Sequence, residues 1–177
     1  MIPLSSFPPA AADKMFISAE PLDIVALLAG AHHPKAGALV LFSGEVRSNS
    51  LGKEVDCLEY EAYIPMAVKM IRQILEEAHA KWSLQLAIAR HRVGRLSVGE
   101  SAVVVITAAA HRGEAYAANR FIIDKIKHEA PIWKCEYFAD GTKEWGGNCN
   151  CHKVTGDPQK HIYESIPSDI PSHTMRT

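Results

Sequence analysis

The sequence predicts an α+β fold, an antiparallel or mixed sheet packed with helices, rather than a doubly wound parallel sheet. Three observations predict it. Apolar or alternating runs of strand length recur at 38–42, 55–63, 84–92, 102–110 and 132–138. Two longer segments, 65–81 and 114–128, carry apolar residues at helical spacing. Gly52, Gly94, Gly99 and Asp140-Gly141 punctuate the strands, with two hairpin-like returns.

The elements follow in order. Residues 1–15 are rich in Pro, Ala and Ser and read as a flexible N-terminal arm. Pro21 to Leu28 suits a short helix, with Pro at its start and Gly30 near its end. Gly37 opens the strand 38–42, whose pattern breaks at Ser43-Gly44-Glu45-Val46-Arg47. A loop with Ser50, Gly52 and Lys53 leads to the strand 55–63. Pro65 begins a helix in which Met66, Met70, Ile74 and Leu75 are expected in the core. Leu84, Leu86 and Ile88 alternate with smaller or polar residues up to Arg90-His91-Arg92. The buried strand 102–110 precedes a helix from Glu114 to about His128, with Tyr116, Ile122, Ile123 and Ile126 lining its inner side. Pro131 ends that helix, because proline disfavours the α conformation in the residue before it. In the strand 132–138, the face of Trp133, Cys135 and Tyr137 is expected in the core, which turns Lys134 toward a cleft or solvent.

The 177 residues fit one domain, 16–149, between the arm and a polar tail at 150–177. Hydrophobic residues make up 47% and charged residues 22%, as in ordinary globular proteins. A net charge of -1 argues against nucleic-acid binding by a basic surface, so any anion site is local. No apolar run reaches membrane-spanning length, and the first residues show no secretory signal. With four unevenly spread cysteines, the expectation is a cytoplasmic protein with free thiols.

The chemistry concentrates at the seams of the segment 111–134. His111 and Arg112 stand where a buried strand enters a helix, a place that favours anions; a solvated His and a surface Arg fit the same position. Lys127 lies in the last helical turn, where a cation also opposes the helix dipole. Lys134 sits among large apolar residues on a strand, a less expected setting. If both amines face one pocket, each disfavours the other's charge, and one becomes available as base or nucleophile. Arg47 either reaches an anion past Gly44 or lies on a hairpin surface. Cys149-x-Cys151-His152 lacks the spacing of a zinc knuckle and reads as tail, and no metal site is expected. Arg112 and Lys127 are fifteen positions apart, hence about 20 Å or more along a helix. Two copies of the chain lending opposite ends of that helix would bring them to one site.

The ordered set Phe42-Ser43-Gly44-Glu45-Val46-Arg47, Leu58 to Ala67, His91-Arg92-Val93-Gly94-Arg95-Leu96, Gly99-Glu100, Ala110-His111-Arg112 and Lys127-x-x-x-Pro131-Ile132-Trp133-Lys134-x-Glu136 resembles the large, catalytic subunit of molybdopterin synthase, the MoaE family. The resemblance covers roughly 20–146. It implies a MoaE-like α+β fold and a homodimer within a heterotetramer. The implied partner is a small ubiquitin-like sulfur-carrier subunit (MoaD-like) whose Gly-Gly tail ends in a thiocarboxylate. The implied reaction moves sulfur to cyclic pyranopterin monophosphate to form the molybdopterin dithiolene, with no metal or organic cofactor. Carried over residue by residue, Lys127 and Lys134 match the catalytic lysines, and Arg47 with Phe42 matches the pocket. His111 and Arg112 match a pair reaching in from the neighbouring subunit. One departure stands out: Gly146-Gly147-Asn148-Cys149 follows Trp145 where the family often has a further arginine. The competing reading is a non-catalytic protein that binds a phosphorylated pterin or nucleotide with the same residues.

Overall fold

The computed structural model describes residues 15–147. The expected arm (Met15 apart), the tail and the Cys149-Asn150-Cys151-His152 segment lie outside the described residues. The elements run β1 (Ile17–Ser18), α1 (Ile24–Ala29), β2 (Ala38–Glu45), β3 (Asn49–Ser50), β4 (Lys53–Ala62), α2 (Ile64–Lys81), β5 (Leu84–Arg92), β6 (Gly94–Ser97), β7 (Ser101–Ala109), α3 (Arg112–Glu129), β8 (Ile132–Phe138) and β9 (Lys143–Gly147). Among the described residues, no helix is long and apolar enough to cross a membrane.

Two sheets form. The first has the order β1-β5-β7-β2, with β1 parallel to β5 and the other pairs antiparallel. The second has the order β3-β4-β8-β9, with β6 also on β4, all antiparallel. The expected α+β class is what folds. β7 reads as a continuous apolar run because both of its faces are covered. Val103 and Val105 pack with Ile71, Ile74, Ile122 and Ile126 of the two long helices. Val104 and Ile106 face the other way, under leucines of α1. A further cluster, Val46, Val55, Leu58, Leu96, Ala102 and Phe138, joins the two sheets.

The long helices follow from spacing. α2 buries Ala67, Val68, Ile71, Ile74, Leu75 and Ala78, and α3 buries Ala115, Ala118, Asn119, Ile122, Ile123 and Ile126. α3 stops at Glu129, and Ala130 turns extended ahead of Pro131. The Pro131 carbonyl accepts from the Tyr63 N–H at 3.1 Å, tying the end of α3 to the start of α2.

Three sequence expectations are corrected. Met66 is 43% exposed and Tyr116 63% exposed. The apolar stripes of their helices are narrower than composition alone implies, and both residues lie beside rather than on them. In β8 the core face is the opposite one: Ile132 and Phe138 are buried, whereas Trp133 is 46% exposed and Tyr137 half-buried. Among the described residues Trp133 shares only a shallow, open depression with Glu61 and Trp145, so aromatic size did not decide burial. Cys135 is nonetheless fully buried on the Trp133 face.

A polar tether fixes α3 to the first sheet. The Asn119 amide nitrogen donates to the Val40 and Val105 carbonyls at 3.1 Å each and lies 3.3 Å from Thr107 Oγ1. Thr107 donates to the Ala115 carbonyl at 2.8 Å. Asn119→Leu keeps the volume and orphans buried acceptors, so it is expected to destabilise by about 1–3 kcal/mol. The measure is a lower urea midpoint at unchanged slope.

Candidate functional site

A cavity of about 370 Å³ opens where the two sheets meet the end of α3. Each wall comes from a different element. Arg47 follows β2, and Ser50 ends β3. Tyr60 comes from β4, His91 from β5, Lys127 from the last turn of α3, and Lys134 with Glu136 from β8. Gly44, on β2, lines the cavity opposite Val103 of the neighbouring strand β7. A Cβ there would stand 2.8 Å from Val103 Cγ1, too near for any side chain without a shift.

Lys134 Nζ donates to Glu136 Oε1 at 2.8 Å, and Ser50 Oγ donates to Glu136 Oε2 at 2.9 Å. The pair is well shielded, with side-chain exposures of 18% and 12%. Lys127 has no ion-pair partner among the described residues, and its Nζ lies 6.0 Å from the centre of the Phe42 ring. Burial holds the Lys127 amine below the ordinary lysine value; the charges of Lys134 and Arg47 push the same way, against Asp124. The two amines therefore differ: Lys134 is neutralised by a carboxylate, and Lys127 is the one disposed to lose a proton.

Burial pulls the Glu136 carboxyl upward, yet the hydrogen bonds from Lys134 and Ser50, with the Lys134 and Arg47 charges, leave it below the ordinary 4.5. A carboxylate with a depressed folded pKa contributes stability that is present above the ordinary value and lost as pH falls through the folded one. Wild type is thus expected to lose stability below about pH 4.5, and Glu136→Gln to flatten that part of the profile. Denaturant midpoints across the acid range measure it.

Burial pushes His91 down to about 4, against a hydrogen bond to the Arg92 backbone and with help from the Lys127 charge. Burial pushes Tyr60 up to about 12, with Glu136 adding to it. Both are neutral near pH 7, so the cavity holds two uncharged polar groups among its charged ones.

The structure brings together Arg47, Lys127 and Lys134, with Phe42 close to Lys127 but outside the cavity lining. It does not bring His111 and Arg112 to them. Both are exposed at the start of α3, in a shallow depression with Gly37, Ala110 and Gly113, about 22 Å from Lys127 by helix rise. Sequence reasoning assigned no role to Glu136, Ser50, Tyr60 or His91. Only Glu136 carried a usable signal, since the two-residue strand period puts it on the face of Lys134. β9 pairs Gly146 with Lys134, and a Cβ at Gly146 would meet only Lys134 Cε, at 3.7 Å.

Comparison with known proteins adds a second line. A family model described as MoaE protein matches residues 17–129. The molybdopterin synthase catalytic subunit of a Nostoc species is 40% identical over 144 residues, covering 81% of this chain and 87% of that protein. Among solved structures, molybdopterin synthase from Staphylococcus aureus superposes with a TM-score of 0.71 at 37% identity, covering 76% of this chain and 97% of that one. The protein–protein complex of subunits 1 and 2 of molybdopterin-converting factor from Helicobacter pylori matches with a TM-score of 0.62. It covers 74% of this chain and 88% of that one. At 21% identity it speaks for the fold alone.

Proposed function

The chain belongs to the MoaE family, the catalytic subunits of molybdopterin synthase, and from that premise we propose that it transfers sulfur from the C-terminal thiocarboxylate of a small carrier protein to cyclic pyranopterin monophosphate. The observation that carries this reading is the convergence of Lys127, Lys134 and Arg47 on one partly closed cavity. A thiocarboxylate and a phosphate are both anions, and cations in a shielded space stabilise charge that develops on them. The carrier sulfur forms a C–S bond to an oxygen-bearing side-chain carbon of the pterin as the C–O bond there breaks and its oxygen leaves as water or phosphate, so that carrier and pterin are joined as a thioester. Water then attacks the acyl carbon, the acyl C–S bond breaks with its electron pair staying on the pterin thiolate, and the carrier leaves as a carboxylate; a second thiocarboxylate repeats the sequence for the other sulfur. These steps need a proton acceptor and a fixed cation. Lys127, with its lowered pKa, fits the acceptor or a transient acyl carrier. Lys134, held by Glu136, fits the fixed cation.

His111 and Arg112 belong to the same reading as contributions from a second copy. Within one chain they stand at the far end of α3, exposed and away from the cavity. A two-fold dimer that crosses its α3 helices would offer each cavity an imidazole and a guanidinium from the neighbour.

The experiment is reconstitution with cyclic pterin and carrier in two forms. The thiocarboxylated carrier is expected to give the dithiolene product, and the plain carboxylate form none. Binding of both components without turnover would instead support a non-catalytic phosphorylated-pterin or nucleotide binding protein.

A further inference from the structure

Two cavity groups have no work in the sulfur-transfer chemistry. His91 is 3% exposed, and its ring meets the Tyr60 ring edge-on, with centroids 5.0 Å apart at 67°. The two His91 ring nitrogens are distinguished by one bond. Nδ1 lies 2.7 Å from the Arg92 carbonyl, which only accepts, so Nδ1 carries the proton and Nε2 keeps its lone pair. Both residues line the cavity. Among the described residues, neither His91 Nε2 nor the Tyr60 hydroxyl has a hydrogen-bond partner. Neither atom is sealed away: among the described residues the buried side-chain atoms without a partner are Arg72 Nε and Arg92 Nε, so His91 Nε2 and the Tyr60 hydroxyl are open to a partner from the cavity. Arg47, Lys127 and Lys134 already provide for anions. An uncharged acceptor and an uncharged hydroxyl, carried on two rings in edge contact, provide for something uncharged.

We propose that His91 and Tyr60 form a neutral recognition edge of this cavity, where His91 Nε2 accepts a hydrogen bond from an amide-type N–H of the bound ligand and the Tyr60 hydroxyl meets the adjacent polar atom. The assignment rests on the sulfur-transfer reading, which brings two ligands with that chemistry: the Gly-Gly backbone of the carrier tail and the lactam edge of the pterin. A Gly-Gly backbone presents its N–H groups with no side chain in the way, and a lactam pairs an N–H with a carbonyl.

The test is equilibrium binding by calorimetry to the full chain, with two separate titrants: carrier ending in a plain carboxylate, and the cyclic pterin. His91→Phe is expected to weaken one titrant about tenfold or more, because a ligand donor is then left unpaired in a shielded place. His91→Gln, which restores an acceptor, is expected to recover most of that loss. Tyr60→Phe, which keeps the ring contact, is expected to weaken the same titrant severalfold. The titrant affected identifies the source of the N–H. Wild-type affinity for both titrants in all three variants overturns the assignment, as does equal weakening by Phe and Gln at position 91, which marks a packing role. Should His91→Phe not fold, unchanged binding of both titrants by Tyr60→Phe overturns the shared edge. Wild type that binds neither titrant removes the sulfur-transfer reading itself, and this edge with it.

Discussion

Lys127→Ala is expected to slow sulfur transfer by roughly 10²- to 10⁴-fold, the usual worth of a positioned proton-transferring group. The reason lies in how the two amines are held. Lys134 has Glu136 at 2.8 Å, whereas Lys127 faces the cavity with cations for neighbours and its affinity for a proton lowered by burial. Arginine substitutions separate charge from proton transfer, because a guanidinium stays protonated at any working pH. Lys127→Arg is expected to stay as inactive as Lys127→Ala, and Lys134→Arg to retain much more activity than Lys134→Ala. The pH profile adds a check. Activity that needs neutral Lys127 rises with pH through a value below the ordinary 10.5. Removing the neighbouring charge in Lys134→Ala moves that rise upward. Single-turnover rates with thiocarboxylated carrier measure all of this. Near-wild-type rates in Lys127→Arg would overturn the role given to Lys127.

Mixing two inactive variants is expected to restore activity. Lys127→Ala lacks the amine at one end of α3, and Arg112→Ala lacks the guanidinium at the other. If each site draws on both copies, a mixed dimer has one site with both defects and one with none. Random exchange of equal amounts then returns about a quarter of wild-type activity, and purified mixed dimers about half. No recovery in verified mixed dimers would show that Arg112 serves its own chain or nothing. The prediction stands on distance: α3 is rigid, its ends are fixed by length, and no side chain spans the gap of about 22 Å between them.

Much of this architecture is legible along the chain because its causes are local. The helices at 64–81 and 112–129 follow from apolar spacing and from Pro65 and Pro131. The central strand follows from an apolar run that only a doubly covered strand tolerates. Lys127, Lys134 and Arg47 could be singled out one by one, since each is a cation at the edge of an apolar element. Met66, Tyr116 and Trp133 were misjudged for a common reason. Side-chain size favours burial, but the decision belongs to whatever packs opposite, and nothing opposite is written in the local pattern.

Local preferences acting over a few neighbours thus settle which residues become helix and strand, and where proline and glycine interrupt them. The meeting of those elements is another matter. Strand register sets Tyr60 across from Lys134 and Leu58 across from Glu136, and it takes a second sheet to enclose them with His91 and Lys127. Those residues are up to 78 positions apart, from Leu58 to Glu136. Their shielding, the inequality of the two lysines and the uncharged edge all arise from that enclosure, because a charge or a lone pair takes its energy from what surrounds it in space.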